Sequence, residues 1–347
     1  MSILTLVLML VLLVVLGGLT AFMDPFFLYH APWDWQRYSL YNERYQNEGI
    51  TRHFAYDALI TGTSMTENFK SSEFDTLFGV QSIKVPFSGA SYKEINEFLS
   101  RVISRNSNLK IVVRGLDTNR ILIDKDDMRY DSYPEYLYDD NILNDVNYLF
   151  NKDIFVDDTW YAIEYNRSGQ ASIDFDVYAN WSKWYTFGKE AVLQTYDRYE
   201  TTDHIAKFSE EDEKLVRETF EQNVTSLIEK NPQIEFYLFF TPYSILYWDS
   251  QNQVGNVQRL IDAQRVAIEM MIQYDNVHLF SFFDEFDMIC DLNNYKDIAH
   301  YGENVNSQML YWMSRGEHQL TLDNYEDYLT AIEAFYTQYP YNSLFES

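Results

Sequence analysis

Residues Ile3 to Met23 run for 21 positions without a charged side chain and consist mostly of Leu and Val. An α-helix rises about 1.5 Å per residue, so about 20 apolar residues cross a hydrocarbon core about 30 Å thick. The stretch is therefore either a membrane span or a secretion signal. A signal's apolar region is normally only about 7–15 residues, with a basic start and a small-x-small cleavage site. Here no basic residue precedes Ile3, and the end, Gly17-Gly18-Leu19-Thr20-Ala21, is a poor cleavage site. The sequence favours an uncleaved anchor over residues 1–23. No other run is long and apolar enough to cross, so everything from Asp24 onward is expected on one side of a single-pass cell-membrane protein. The uncharged flank does not set orientation. Such anchors usually serve export, which places the body outside.

The rest of the chain has the means to fold. Hydrophobic residues make up 46% and aromatics 17%, ample material for a core. The balance of 53 acidic to 26 basic residues, a net charge of −27, argues against nucleic-acid binding, which needs Lys and Arg to replace counterions along the phosphates. The lone Cys290 excludes an internal disulfide and a Cys-cluster metal site.

Five short apolar runs are bounded by turn or helix signals: Asp57–Gly62, Gln81–Pro86, Leu109–Gly115, Ile234–Thr241 and Asn276–Ser281. Near-continuous β-branched and aromatic runs suit strands buried on both faces of a parallel sheet. Between them Ser91/Glu94 and Ser209/Asp212 have capping-box spacing, and Ser209–Asn231 and Val254–Tyr274 carry one apolar helical face. A last amphipathic helix is expected over Leu322–Gln338. Strand–helix alternation predicts a doubly wound α/β three-layer sandwich with a five-stranded parallel sheet over residues 57–347, joined to the anchor by a connecting segment, 24–56. Alternation breaks between about 123 and 207, a Tyr-, Trp- and Asp-rich segment too long for a loop, which reads as an inserted cap. Most of its aromatics are packing residues; Trp160, Trp181 and Trp184 are candidates for lining a groove.

Ligands of doubly wound folds bind beyond the carboxyl ends of the strands. The first strand delivers Gly62-Thr63-Ser64 there, placing a hydroxyl at the sheet edge where a helix start favours a developing anion. The second delivers Pro86-Phe87-Ser88-Gly89-Ala90, in which Gly89 can bring a backbone N–H close to a ligand. Near the C-terminus, Asp297-Ile298-Ala299-His300 has the spacing that puts a carboxylate beside an imidazole on a turn. The carboxylate fixes the tautomer and leaves the other ring nitrogen to take a proton from a serine. Each motif alone has an ordinary reading as a cap, a turn or a solvated pair.

Together the three motifs, in this order and at these strand ends, resemble the SGNH (GDSL-type) hydrolases over Asp57 to about Met313, with the cap as an insertion. The resemblance implies Ser64 as nucleophile, His300 as general base and Asp297 as its orienting carboxylate. It also implies that the Ser64 and Gly89 amides are oxyanion donors. The family's third block is Gly-x-Asn-Asp, whose Asn donates to the oxyanion. Here Gly115-Leu116-Asp117-Thr118-Asn119 puts Asp117 in that place. An ionised carboxylate cannot donate a hydrogen bond. Either Asp117 is protonated or differently used, or Asn119 takes the role, or the site is not the standard one.

An anchored, exported body of this kind resembles Gram-positive cell-envelope proteins, including those acting in teichoic-acid D-alanylation and polysaccharide O-acetylation. The exit of the fourth strand, Phe240 to Trp248, adds an aromatic Pro-Tyr segment of the same character. The resemblance implies a serine esterase or O-acyltransferase acting on an acylated glycan or glycopolymer, with no cofactor and no metal. A non-catalytic glycan-binding or assembly module on the same fold is the alternative, and an inner-leaflet hydrolase a third. The charge of −27 disfavours dense polyanions as substrate. His278 is read as a satisfied core histidine on the fifth strand. His30, His53, His204 and His318 lack partners at metal-ligand spacing, and Asp284, Glu285, Asp287 and Asp291 form a solvated acidic face without a calcium-loop pattern.

Overall fold

A computed structural model of the chain describes residues 3–130 and 133–345. Met1 and Ser2, at the head of the expected anchor, and Asp131 and Ser132, in the expected cap, lie outside the described residues. The chain divides into two compact units: residues 3–55 with 130–179, and residues 56–129 with 180–345. The boundaries differ from the expected ones. Residues 24–55 are not merely a connecting segment, and of the expected cap 130–179 falls in the first unit while 123–129 and 180–207 fall in the second.

The second unit is built on a six-stranded sheet in the order β2-β1-β3-β4-β5-β6. The strands are β1 (Ala58–Thr61), β2 (Ser82–Lys84), β3 (Ile111–Leu116), β4 (Glu235–Phe240), β5 (Val277–Ser281) and β6 (Gln319–Leu320). The first five are parallel and coincide with the five apolar runs. The expectation of a five-stranded, all-parallel sheet is corrected by β6, which pairs antiparallel with β5. Val112, Val113, Leu116, Leu238, Phe239, Phe240, Leu279 and Phe280 are buried, as a sheet covered on both faces requires.

Helices fall into two packed groups. Tyr92–Arg105, the run Glu210–Lys230, Val257–Met271 and Tyr325–Gln338 pack in series, while Ser71–Phe78 packs on Glu303–Arg315. Right-handed crossovers account for this. The chain moves one way from β1 to β2 and the other way from β2 to β3 and onward, so the connecting helices lie on opposite faces. The direction reverses between β1 and β3, the switch point where such sheets bind ligands. Both capping boxes form, at Ser91/Glu94 and Ser209/Asp212. The run from Glu210 to Lys230 contains one π-helical turn, Glu221–Thr225. His278 lies on β5 as expected but is not enclosed. It is partly exposed, with Nε2 2.8 Å from Glu235 Oε2 and its ring stacked on Tyr237.

The first unit begins with the helix Ile3–Met23, long and apolar enough to cross a membrane. It is bare along its first two-thirds and buried on one stripe at its end, Gly17, Thr20 and Met23. A helix C-terminus leaves four carbonyls without intrahelical partners, and here each finds one. Thr20 O accepts the Asp24 N–H (2.8 Å), and Phe22 O the Trp33 indole N–H (3.2 Å). Met23 O accepts from Gln36 Nε2 (2.6 Å), and Ala21 O lies 3.2 Å from His30 Nε2. Asp24, fully buried at positive φ, turns the chain. Its carboxylate accepts the N–H groups of Leu28, Tyr29 and His30 and the Tyr148 hydroxyl. Phe26, Leu28, Leu137, Tyr148 and Ile154 then form the unit's core.

Candidate active site

The switch point of the sheet is where Ser64 lies. Beyond β1, Gly62 takes φ 152°, and a Cβ there would come within 2.6 Å of Thr66 Cγ2 and 3.3 Å of the Gly115 amide. Only glycine fits between the ends of β1 and β3. Thr63 caps a 3-10 turn, Ser64–Thr66, and Ser64 stands at its head, partly exposed.

The Asp297–His300 segment is a tight loop. Tyr295 and Tyr301 bridge its base in antiparallel fashion, and the Lys296 N–H reaches His300 O (3.0 Å). Asp297 Oδ1 accepts the backbone N–H groups of Ala299 (2.9 Å) and His300 (2.8 Å), the turn an Asp side chain makes with the backbone ahead of it. That turn places the His300 ring against its own carboxylate. Nδ1 lies 2.9 Å from Oδ2 and 3.0 Å from Oδ1 of Asp297. The other nitrogen, Nε2, lies 2.8 Å from Ser64 Oγ. The residues singled out in the sequence, 236 positions apart, thus form one chain of hydrogen bonds: Ser64, His300, Asp297.

Several ties hold the two loops in register. Met65 O accepts from the Tyr301 hydroxyl (3.2 Å) and from Asn306 Nδ2 (3.1 Å). Asn68 Nδ2 donates to Tyr301 O (3.2 Å) while its Oδ1 accepts the Trp181 N–H (3.1 Å). The buried Lys84 ammonium donates to the carbonyls of Glu67 and Phe69, fixing the segment behind the serine. On the far side, Ile298 O accepts both the N–H (3.1 Å) and the hydroxyl (2.8 Å) of Ser244, and Tyr295 donates to Pro242 O (2.9 Å). The aromatic exit of β4 is therefore the clamp on the histidine loop.

Electrostatics separate the site's two carboxyl groups. Burial alone would raise the pKa of Asp297, but the His300 ring and the N–H groups of His300 and Ala299 outweigh it and hold the carboxyl at about 2. Asp117 is the opposite case: burial pushes its carboxyl above the ordinary value, against the lowering influence of nearby hydroxyl and cationic groups. Tyr243 donates to Asp117 Oδ1 (2.9 Å), and Asp117 Oδ2 has no hydrogen-bond partner. The Thr63 hydroxyl, on the residue before Ser64, is the largest of those lowering influences. Burying a carboxylate with incomplete hydrogen bonding is costly, which is the physical cause of that upward shift.

The remaining expected residues are placed as follows. Gly89 adopts φ 72° in the turn after β2. Phe87 N–H donates to Gly62 O (2.8 Å), joining that turn to the serine turn. Arg120 donates to Gly89 O (2.9 Å), joining it to the segment after β3. Asn119 is exposed, with its Oδ1 3.2 Å from the Tyr243 hydroxyl. The three tryptophans separate. Trp160 belongs to the first unit, Trp184 is 81% exposed in the second, and only Trp181 reaches the site, edge-on to His300 at 5.6 Å. Beside it Lys296 lies over the rings of Trp181 (4.5 Å) and Tyr185 (3.8 Å), with Nζ 3.8 Å from Asp297 Oδ2. Sequence reasoning missed Lys296, Tyr243 and Asn68. Lys296 was legible as the neighbour of Asp297, and Tyr243 as the tyrosine of the Pro-Tyr segment; Asn68 carries no sequence signal. Elsewhere, His318 lies between Asp284 (3.6 Å) and Glu285 (3.2 Å), a pairing that sequence spacing did not reveal. Among the described residues no group of three or more His, Cys, Asp or Glu is arranged to hold a metal.

Comparison with protein-family models, with curated proteins and with solved structures finds no match to the chain.

Proposed function

We propose that the protein is a membrane-anchored serine esterase or O-acyltransferase of the SGNH kind that works through an acyl-enzyme on Ser64. The observation that carries the reading is the unbroken chain Ser64 Oγ–His300 Nε2–Asp297, with both links at 2.8–2.9 Å. With Asp297 ionised and accepting from Nδ1–H, the neutral ring offers Nε2 as an acceptor. Ser64 Oγ attacks the ester carbonyl while its proton passes to Nε2. The tetrahedral intermediate collapses, the C–O bond to the alcohol breaks, and Nε2 returns the proton to that leaving oxygen. Water or a sugar hydroxyl then attacks the acyl-enzyme, giving its proton to Nε2, and Ser64 recovers a proton as the ester bond to it breaks. Water as acceptor gives hydrolysis; a hydroxyl gives transfer.

The Ser64 and Gly89 amides serve as oxyanion donors in this reading. Asp117 stays neutral and donates from its otherwise unpartnered oxygen, taking the place of the family's asparagine; Asn119 is not needed for the role. The substrate we propose is an acylated envelope glycan, with the body outside the cell. The charge of −27 disfavours dense polyanions, and Trp181, edge-on to His300, with the half-exposed Tyr185 beside it gives the site aromatic edges of the kind that border sugar rings, the Lys296 ammonium lying over one face of each.

The test is turnover of p-nitrophenyl acetate by the full chain in detergent or lipid, with and without a sugar acceptor. Ester cleavage that is lost in Ser64→Ala supports the reading, and a glycosyl ester formed at the expense of acetate assigns transfer. The carboxyl group at position 117, where the family carries asparagine, favours one second reading, a non-catalytic glycan-holding module. Absence of turnover with this ester and with an O-acetylated glycan, together with glycan binding, would establish that instead.

A further inference from the structure

The first unit does more than follow the anchor helix; it is fastened to it. All four terminal carbonyls of Ile3–Met23 are taken by groups of the next 13 residues, and Asp24 locks the turn onto Tyr148. The Thr159 hydroxyl donates to Thr20 Oγ1 (3.2 Å). A Cβ on Gly17 would lie 2.7 Å from the Phe150 ring, so that ring packs directly on the helix backbone. Gly17 precedes the helix end at Met23 by six residues, or about 9 Å of rise. The 21-residue helix is about 31 Å long, close to the hydrocarbon thickness of about 30 Å, so a membrane crossed by it reaches Phe150 as well.

The surface around Phe150 suits that depth. Ile142 and Leu143 are 78% and 80% exposed, and Val146 and Phe150 about half exposed, on one short stretch ending in the helix Val146–Leu149. The only ionisable side chain carrying a charge at neutral pH between Asn141 and Asn151 is Asp145. It is buried and accepts the Tyr29 hydroxyl (3.0 Å). Near the helix end, Phe22 stacks against Trp35, with Trp33 beside it, all three substantially exposed. Exposed Trp beside an apolar span is the composition of a membrane–water interface. Four exposed apolar side chains on a stretch that packs against the end of a membrane span call for an apolar covering, with Asp140 on one side and Lys152 and Asp153 on the other marking where the stretch ends.

We propose that the first unit is seated in the bilayer, with Ile142, Leu143, Val146 and Phe150 immersed in the leaflet entered by the helix end and Trp33 and Trp35 at its surface. This rests on the helix Ile3–Met23 spanning the membrane. The occupant is lipid acyl chain, the covering that exposed Ile, Leu, Val and Phe side chains bury against; the nearest cation along the chain is the exposed Lys152, two positions past Phe150. The first unit is held at a fixed height and tilt rather than on a loose tether.

The experiment uses the full chain in lipid nanodiscs on a Cys290→Ser background, with a nitroxide at Leu143→Cys. Val11→Cys in the helix and Leu322→Cys, exposed in the second unit, are the references. Expected at position 143 is the Val11 pattern: ready collision with oxygen and loss of collision with a water-soluble nickel chelate. If position 143 meets the chelate as freely as position 322 while position 11 stays protected, the helix spans but the seat is refuted. If position 11 also meets the chelate, the anchor reading fails and the seat with it. Protection of position 143 from both quenchers means that protein, a second copy or another membrane helix, covers the face, and overturns the proposal too.

Discussion

Asp117 offers the sharpest test of how the site works, because its two protonation states make opposite demands on the same substitution. The side chain is fully buried, one oxygen holds the Tyr243 hydrogen bond, and the other has no partner. Removing one oxyanion donor costs about 10²–10³ in rate, or about 2.7–4 kcal/mol. If Asp117 is the neutral donor, Asp117→Ala loses about that factor in kcat/KM. Asp117→Asn, which keeps a donor at the position, stays within about tenfold of wild type. Stability gives an independent readout. A carboxyl whose folded pKa is raised keeps its proton in the folded state after the unfolded chain has lost it. Stability therefore falls as pH rises from about 4 to the folded value, by about 1.4 kcal/mol per pH unit, and is level beyond it. Asp117→Asn should abolish that slope in urea titrations run across pH 4–8, while kcat/KM is followed with a p-nitrophenyl ester. One result would refute the reasoning: a gain of about 10²–10³ in kcat/KM for Asp117→Asn, the signature of replacing an ionised, repelling carboxylate by a donor.

Two further substitutions probe the histidines' partners. Asp297→Asn removes the carboxylate that fixes the His300 tautomer, and kcat should fall by about 10³–10⁴. Because the folded pKa of Asp297 is lowered to about 2, its stabilisation is full above about pH 4 and lost as pH falls through about 2; acid titration of the variant should lack about 2 kcal/mol of that loss. His318, raised mainly by Asp284 and further by Glu285 against the opposing effect of burial, stabilises the fold below about pH 6.5 and less as pH rises through its folded value. In His318→Gln, the stability difference between pH 5 and pH 8 attributable to this pair should vanish, with esterase activity unchanged.

What the sequence disclosed follows from which interactions are local. The five parallel strands were legible because each is a buried run whose composition announces burial on both faces, as in Phe236, Leu238, Phe239 and Phe240 of β4. β6 was not, since a two-residue strand with one buried side chain, Leu320, has no period to read. The first unit escaped for a different reason. It is assembled by pairs more than a hundred residues apart, such as Tyr148 with Asp24 and Tyr178 with Asn47, between short, weakly periodic helices. The DxxH spacing was informative because a single Asp turn links its two members, whereas the contact with Ser64 depends on ties such as Asn306 to Met65 that no local pattern encodes. The departure at Asp117 was visible as a residue type, but its unpartnered oxygen and its link to Tyr243 required the fold.

The central claim, that Ser64 is a nucleophile activated by His300, is tested most directly by locating a covalent adduct. The full chain is treated with a fluorophosphonate, digested, and the modified peptide sequenced by mass spectrometry. A stoichiometric phosphonyl group on Ser64, absent in Ser64→Ala and formed far more slowly in His300→Gln, is the result expected. Native protein that stays unlabelled at Ser64, or labelling of Ser64→Ala to the same extent as wild type, would contradict it.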